Sequence, residues 1–367
     1  MNPRSALIHV NGTLYGTTPY GGKGCGILGC GTVFVVTTDG SAKVLFTFAG
    51  GSDGAFPQGR LLDVNGTLYG TTSGGGDPRC PNGRSGTGCG TVYSITLNGS
   101  KTVLHRFHGG SDGAIPSGGL VQLNGALYGT TIDGGSQGCG TVYRIRTSGQ
   151  EQVIADFCTR HLDGSNPEGE LVTVNGALYG TSSDGGSGST RVCGGSCGFV
   201  FRVDTNGSAT VLHNFTGGPT DGANPAAGLV NEKGLLYGTT WLGGDGYGTV
   251  YSISTTGSEN VIYRFKAPPD GEYPLAPLLA VNGVLYGTTV GGGIASGCHK
   301  GRSCGTVFSI DIGGKERVLH RFAGGSADGA NPYAGLTTVN GRFYGTTSDG
   351  GLHCDIHSCG TVFALSP

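Results

Sequence analysis

The chain has 367 residues, of which 77 are glycine, roughly three times the usual share, and this excludes an ordinary helical domain. With 22 Lys and Arg against 24 Asp and Glu the formal charge is −2, and only 13% of residues are charged, which excludes electrostatic capture of nucleic acid or of an anionic membrane. Apolar residues (36%) occur along the whole chain, so disorder is not expected, and no apolar run approaches a membrane span or a secretory leader.

Taken in order, the elements repeat. The segment LYGTT, or a near variant, places Tyr15, Tyr69, Tyr128, Tyr179, Tyr237, Tyr286 and Tyr344 at intervals of 49 to 59 residues. Each copy starts near residue 7, 61, 120, 171, 229, 278 or 336 and reads as four short segments of strand length, rich in β-branched and aromatic residues. Between the first two lies Asn-Gly, at Asn11, Asn65, Asn124, Asn175, Asn282 and Asn340, with Lys233-Gly234 in the fifth copy. This dipeptide supplies the two positive φ angles of a type I′ hairpin. Asp39-Gly40, Asn98-Gly99 and Asn206-Gly207 mark a second tight hairpin between the third and fourth segments. The middle connection is Gly-rich and variable, and the fourth segment runs into Asp-Gly-x-x-Pro, first at Asp53 to Pro57 and last at Asp328 to Pro332.

A four-stranded antiparallel meander repeated without intervening helices is the signature of a propeller blade. The expected fold is therefore all-β, a seven-bladed β-propeller of four-stranded antiparallel blades forming one domain over residues 1–367. Seven copies of the first three segments but six of the fourth leave the last blade three-stranded, or completed by residues upstream of Met1 in a longer parent. The opening Asn2-Pro3 matches Asn331-Pro332, as if the chain began just past a fourth strand. The set LYGTT, GG, GTVF or GTVY, and VLHRF resembles the GloVer tandem repeat of bacterial secreted or surface proteins, and more distantly the kelch blade. The resemblance implies a propeller; it carries no particular reaction or ligand.

Twelve cysteines fall almost entirely in the variable connections. By proximity they pair as Cys25/Cys30, Cys80/Cys89, Cys193/Cys197, Cys298/Cys304 and Cys354/Cys359, leaving Cys139 and Cys158 in the third copy. An even set with local partners reads as disulfides, and so as an oxidising compartment: extracellular, periplasmic or cell surface, with the signal peptide not part of this chain. Single-loop metal sites and free thiols are the alternatives, but no C-x-x-C spacing supports zinc.

Residues repeated in every copy are discounted as sites. The Asp of Asp-Gly-x-x-Pro reads as a turn former, and His105, His213 and His320 share a strand position with Phe46, Ala155 and Tyr263, which reads as a packing position. Departures from the repeat say more. In the connections of the sixth and seventh copies, His299, Lys300 and Arg302 stand near His353, Asp355 and His357, a set able to bind a metal or to act as acid, base and charge neutraliser on an acidic sugar. In the fifth copy the cystine is missing and Trp241, the single tryptophan, and Tyr247 occupy the connection, where they either stack on a sugar or fill the space a disulfide leaves. The middle residues of the first segments, His9, Asp63, Gln122, Thr173, Asn231, Ala280 and Thr338, contain no recurring carboxylate pair, so a paired-carboxylate glycosidase is unsupported.

These readings favour a secreted or surface non-enzymatic monomer that binds a glycan or protein through its cystine-braced loops. Its ligand-binding residues are Trp241, Tyr247, His299, Arg302, His353 and His357. The alternative is a carbohydrate-active enzyme, a lyase on an acidic polysaccharide, with His299, Arg302, His353, Asp355 and His357 as catalytic groups. No resident cofactor is called for, although the His and Asp of these loops would accept a structural or catalytic metal.

Overall fold

The computed structural model describes residues 2–80, 88–159, 162–186, 193–293, 298, 303–351 and 359–366. The chain forms the seven blades of a β-propeller. Six are antiparallel sheets with strands in chain order, as in the second blade: Leu62–Val64, Thr67–Thr72, Thr91–Thr96 and Lys101–Arg106. The seventh has three, Thr337–Val339, Arg342–Thr347 and Thr361–Leu365. Among the described residues helix is confined to single turns such as Gly325–Asp328.

The first hairpin is as expected, with positive φ at both central residues, Asn11 (50°) and Gly12 (81°) in the first blade. The second hairpin is longer than its dipeptide suggested. Gly40 has φ 92° while Asp39 stays in the ordinary region, and Asp39 Oδ1 accepts from Ser41 N–H at 3.0 Å and from Thr37 Oγ1. That arrangement is a turn closed by a glycine, with the acidic side chain capping it.

The Leu, the Gly and both Thr of LYGTT have packing reasons. The Leu is fully buried in most blades, for example Leu68 and Leu127. The Gly lies opposite the aromatic of GTVF or GTVY, Gly129 facing Tyr143, and a Cβ there would sit 2.5 Å from Tyr143 Oη. The ring needs that space. The first Thr ties down the crossover that follows, as Thr71 Oγ1 does by donating to Gly118 O at 2.9 Å, and the second shares a 2.8 Å hydrogen bond with the Thr of GTV, as in Thr72 with Thr91.

The chain divides into two compact units, one of Ser5–Leu178 with Val203–Thr210, the other of Asn2–Arg4, Tyr179–Arg202 and Val211–Pro367. Within each, the Phe that ends VLHRF meets the third-strand aromatic of the next blade edge to face. In the first unit these pairs are Phe48 with Tyr93 and Phe107 with Tyr143, at 5.2 and 5.1 Å between centroids. In the second they are Phe215 with Tyr251, Phe265 with Phe308 and Phe322 with Phe363, at 5.0 to 5.1 Å. Burying such rings joins blade to blade, and each pair adds about 0.5–1.5 kcal/mol beyond its buried area. A bulge recurs between the third and fourth strands, at Val92/Tyr93, Val142/Tyr143, Val250/Tyr251 and Val307/Phe308. Bulges re-aim the side chains beside them.

Candidate ligand-binding face

The Asp-Gly-x-x-Pro crossover leaving one blade is stitched to the second-to-third connection of the next. Ala55 bridges Gly74, Ala114 bridges Asp133, Gly222–Ala223 pairs with Leu242–Gly243, Gly271–Glu272 with Gly291–Gly292, and Ala330 with Asp349. The residue before the crossover Pro holds positive φ in every copy: Phe56, Ile115, Asn166, Asn224, Tyr273 and Asn331. Its N–H reaches the carbonyl of the residue before the Gly of GTV, Cys30, Cys89, Cys197 and Cys304 in four blades and Tyr247 in the fifth. So the irregular segments form a continuous hydrogen-bonded layer within each unit.

Disulfides join Cys25–Cys30, Cys80–Cys89, Cys139–Cys158, Cys193–Cys197 and Cys298–Cys304. Cys359 is also bonded; its expected partner Cys354 lies outside the described residues. Cys25–Cys30, Cys80–Cys89, Cys193–Cys197 and Cys298–Cys304 close loops of only 4 to 9 residues, where less entropy is lost than in the 19-residue Cys139–Cys158 loop, so these four act mainly on loop shape. They suit an oxidising, extracytoplasmic environment.

Tyr247 occupies the register of the second cysteine and packs, half-buried, against the core of its unit. It takes up space that a cystine fills elsewhere. Trp241 remains 44% exposed, and its ring stands edge-on to Tyr273, 6.3 Å between centroids, while Tyr247 tilts against the same Tyr273 ring at 6.4 Å. Tyr273 escaped the sequence reading. The available signal was Asn in three of the six copies at that position, a residue that tolerates positive φ better than most with a Cβ, which makes a tyrosine there unusual.

The turn aspartates and the recurring histidines form a second arrangement. The crossover aspartates do accept turn N–H groups, Asp112 from His108 and Asp221 from Thr216 and Gly222, each at 2.8 Å. They also pair with the recurring His: His105 Nε2 lies 3.2 Å from Asp112, His213 Nε2 3.3 Å from Asp221 and His320 Nε2 2.9 Å from Asp328. In the fifth blade Tyr263 Oη donates to Asp270 at 2.9 Å. The first residue of the next blade's fourth strand joins them. Burial and the Asp112 charge push Glu151 up to about 8. Burial pushes Glu259 up to about 7, with His213 opposing and Asp221 adding. Burial and Asp270 push Glu316 up to about 7, against Arg321. Burial acts to raise Asp112 too, but the hydrogen bond and charge of His105, with help from His108, outweigh it and hold that carboxyl at about 2.

His299, Lys300, Arg302, His353, Asp355 and His357 lie outside the described residues. The first-strand residues have a local role: His9, Asp63 and Asn231 accept the N–H of the hairpin glycine, at 2.9 to 3.0 Å. At the hairpin end of the third blade, Asn124, Tyr128, Arg144 and Arg146 line a shallow cavity of about 470 Å3. No helix among the described residues is long and apolar enough to cross a membrane.

The fold and its loop layer define a repeat-built, cystine-braced β-propeller. Residues 80–299 and 193–367 match the Gloeobacter/Verrucomicrobia repeat, and the chain belongs to that family. Similar solved structures include a Mycobacterium tuberculosis puromycin-hydrolyzing peptidase (TM-score 0.55, 10% identity, 99% of this chain and 51% of that one) and a puromycin hydrolase (TM-score 0.52, 12% identity, 94% and 50%). The β-propeller domain of the Trilobed protease from Pyrococcus furiosus is similar over nearly its whole length (TM-score 0.50, 8% identity, 100% of this chain and 96% of that one). The chain spans about half the length of the two puromycin-hydrolysing proteins, and at these identities the likeness is one of fold. No curated protein sequence matches the chain.

Proposed function

We propose that the protein is a non-enzymatic binding module that works outside the cytoplasm and takes a glycan on its cystine-braced loop layer, with Trp241 stacked on a sugar ring. The observation that carries this reading is the exposed Trp241 ring, steadied from one edge by Tyr273. The flat face of a pyranose fits an exposed indole, and the tryptophan has a polar N–H at its edge for a sugar hydroxyl. Hydrolysis by the longer relatives does not carry over, since this chain spans half of each and shares only the fold.

A glycan array followed by calorimetry on Trp241→Ala tests the reading. Loss of the stack should weaken binding by about 1–3 kcal/mol, roughly 5- to 150-fold. Arg146→Ala, at the hairpin-end cavity, should leave it unchanged. Binding that follows Arg146 and ignores Trp241, or no glycan bound at all, overturns the reading.

A further inference from the structure

At successive blade junctions three positions face one slot: a fourth-strand residue, the crossover Asp after it, and the first fourth-strand residue of the next blade. Between the first and second blades the slot holds a cation of the chain itself. Lys101 Nζ donates to Asp53 Oδ1 and to Asp53 O, both at 2.7 Å, and lies 5.2 Å from the ring centroids of Phe46 and Phe48. Its side chain is only 3% exposed. Between the third and fourth, Ala155 and Ala209 take the two flanking positions and line, with Asp156 and Thr159, a cavity of about 440 Å3. Between the second and third blades, and between the fourth and fifth, the lysine position carries Glu151 and Glu259 and the Phe46 position carries His105 and His213. These slots keep the aspartate, gain an imidazole and gain a second carboxyl. Glu151 Oε1 and Glu259 Oε1 are buried without a hydrogen-bond partner.

We propose that these two slots are divalent transition-metal sites of the zinc class, one built from His105, His108 and Asp112 with Glu151 against Asp112, and the other from His213, Asp221 and Glu259. The ion takes the place that the Lys101 ammonium fills in the first junction. Ligand atoms of His105, His108 and Asp112 lie within 4.8 Å of one another, as do those of His213, Asp221 and Glu259. Nearest separations are 3.1 Å from His108 Nδ1 to Asp112 Oδ2 and 3.3 Å from His213 Nε2 to Asp221 Oδ1. Two donors each about 2.1 Å from a tetrahedral zinc are about 3.4 Å apart, so little movement is needed. Imidazole among carboxylates selects zinc, nickel or copper over calcium or magnesium. Outer partners already orient the ligands: Thr216 N, Thr216 Oγ1 and Gly222 N hold Asp221, each at 2.8 Å. Tyr263 breaks the set at the next junction, where its hydroxyl bonds Asp270 instead.

Equilibrium dialysis of the full chain against zinc at pH 7.5, after chelator treatment, should give two ions per chain. His213→Phe and Glu259→Gln should each remove one, and His105→Phe and Glu151→Gln the other. The double exchange His213→Phe with Glu259→Lys copies the first junction. It should remove one ion while keeping the melting temperature measured in chelator, which separates loss of a ligand from loss of the fold. Tyr263→His, beside Asp270 and Glu316, should add a site. Fewer than one ion bound by the unaltered chain, or two ions that persist in His105→Phe and His213→Phe, overturns the proposal.

Discussion

Glu259 should make the protein less stable as the pH rises, and Glu259→Gln should remove that dependence. Its folded pKa of about 7 stands above the ordinary 4.5, so between these values the folded chain binds more protons than the unfolded one. Stability is then highest below about 4.5 and falls as pH passes through about 7. A shift of that size is worth about 3 kcal/mol for a fully desolvated group. Glu259 is only partly buried, and solvent screening brings the figure to about 1–2 kcal/mol. With an unfolding entropy of about 2.1 cal/mol/K per residue, a chain of this length should lose about 1–3 °C in Tm between pH 5 and pH 8.5 from this one carboxyl. The assay is thermal unfolding followed by circular dichroism across that range, in chelator so that metal does not mask the proton. Glu151 and Glu316 belong to junctions that share no residue with it, so a triple Gln variant should show roughly additive flattening. An identical Tm-against-pH slope in the parent and in Glu259→Gln would refute the reasoning.

Other outcomes follow from the same geometry. Lys101→Met leaves the Asp53 carboxylate without its buried ammonium and should cost about 3 kcal/mol or more in denaturant unfolding; an effect under about 1 kcal/mol would show the pair to be solvated. Gly129→Ala drives a methyl against Tyr143 and should destabilise by about 1–3 kcal/mol, read as a shift in denaturant midpoint, whereas Gly125→Ala, with open space around it but a positive φ, should cost less. Peptide mapping without reduction should recover the Cys25–Cys30 and Cys139–Cys158 links, and free thiol at any of these four would count against an oxidising compartment.

The fold was legible because its punctuation is local. Asn11-Gly12 fixes a hairpin by backbone conformation alone, and Gly16, Gly70 and Gly129 repeat because each lies under an aromatic ring. The three-stranded last blade was equally visible, as a missing fourth VLHRF-like segment. Even the opening residues carried register: a Cβ on Gly360 would lie 2.8 Å from Pro3 Cδ, as one on Gly305 would lie 2.7 Å from Pro332 Cδ. What stayed hidden was the partner of each turn. Asp39-Gly40 and Asn11-Gly12 look alike in sequence, yet the first closes a longer loop because the side chain of Asp39 binds Thr37 and Ser41.

The junction slots were legible only in part. Repetition of the crossover Asp argued for a turn role, and it has one, since Asp53, Asp112, Asp221, Asp270 and Asp328 all accept backbone N–H groups. A carboxylate fixed by its turn still has lone pairs to spare, and what meets them comes from a strand 38 to 48 residues later. Asp53 meets Lys101, while Glu151, Glu259 and Glu316 meet Asp112, Asp221 and Asp270. No local pattern reveals that meeting; it depends on the bulge that turns the third and fourth strands and on blade packing through Phe107 and Phe265. Once the register is known, the blades act as an internal series in which backbone and aspartate are held constant while the neighbours change. Lysine with phenylalanine neutralises the aspartate from within the chain, and tyrosine spends its hydroxyl on it. Alanine at both flanking positions lines a cavity. Histidine with glutamate bonds the aspartate through its imidazole and still leaves a second carboxyl facing it, the combination that a divalent ion satisfies and a proton satisfies only in part.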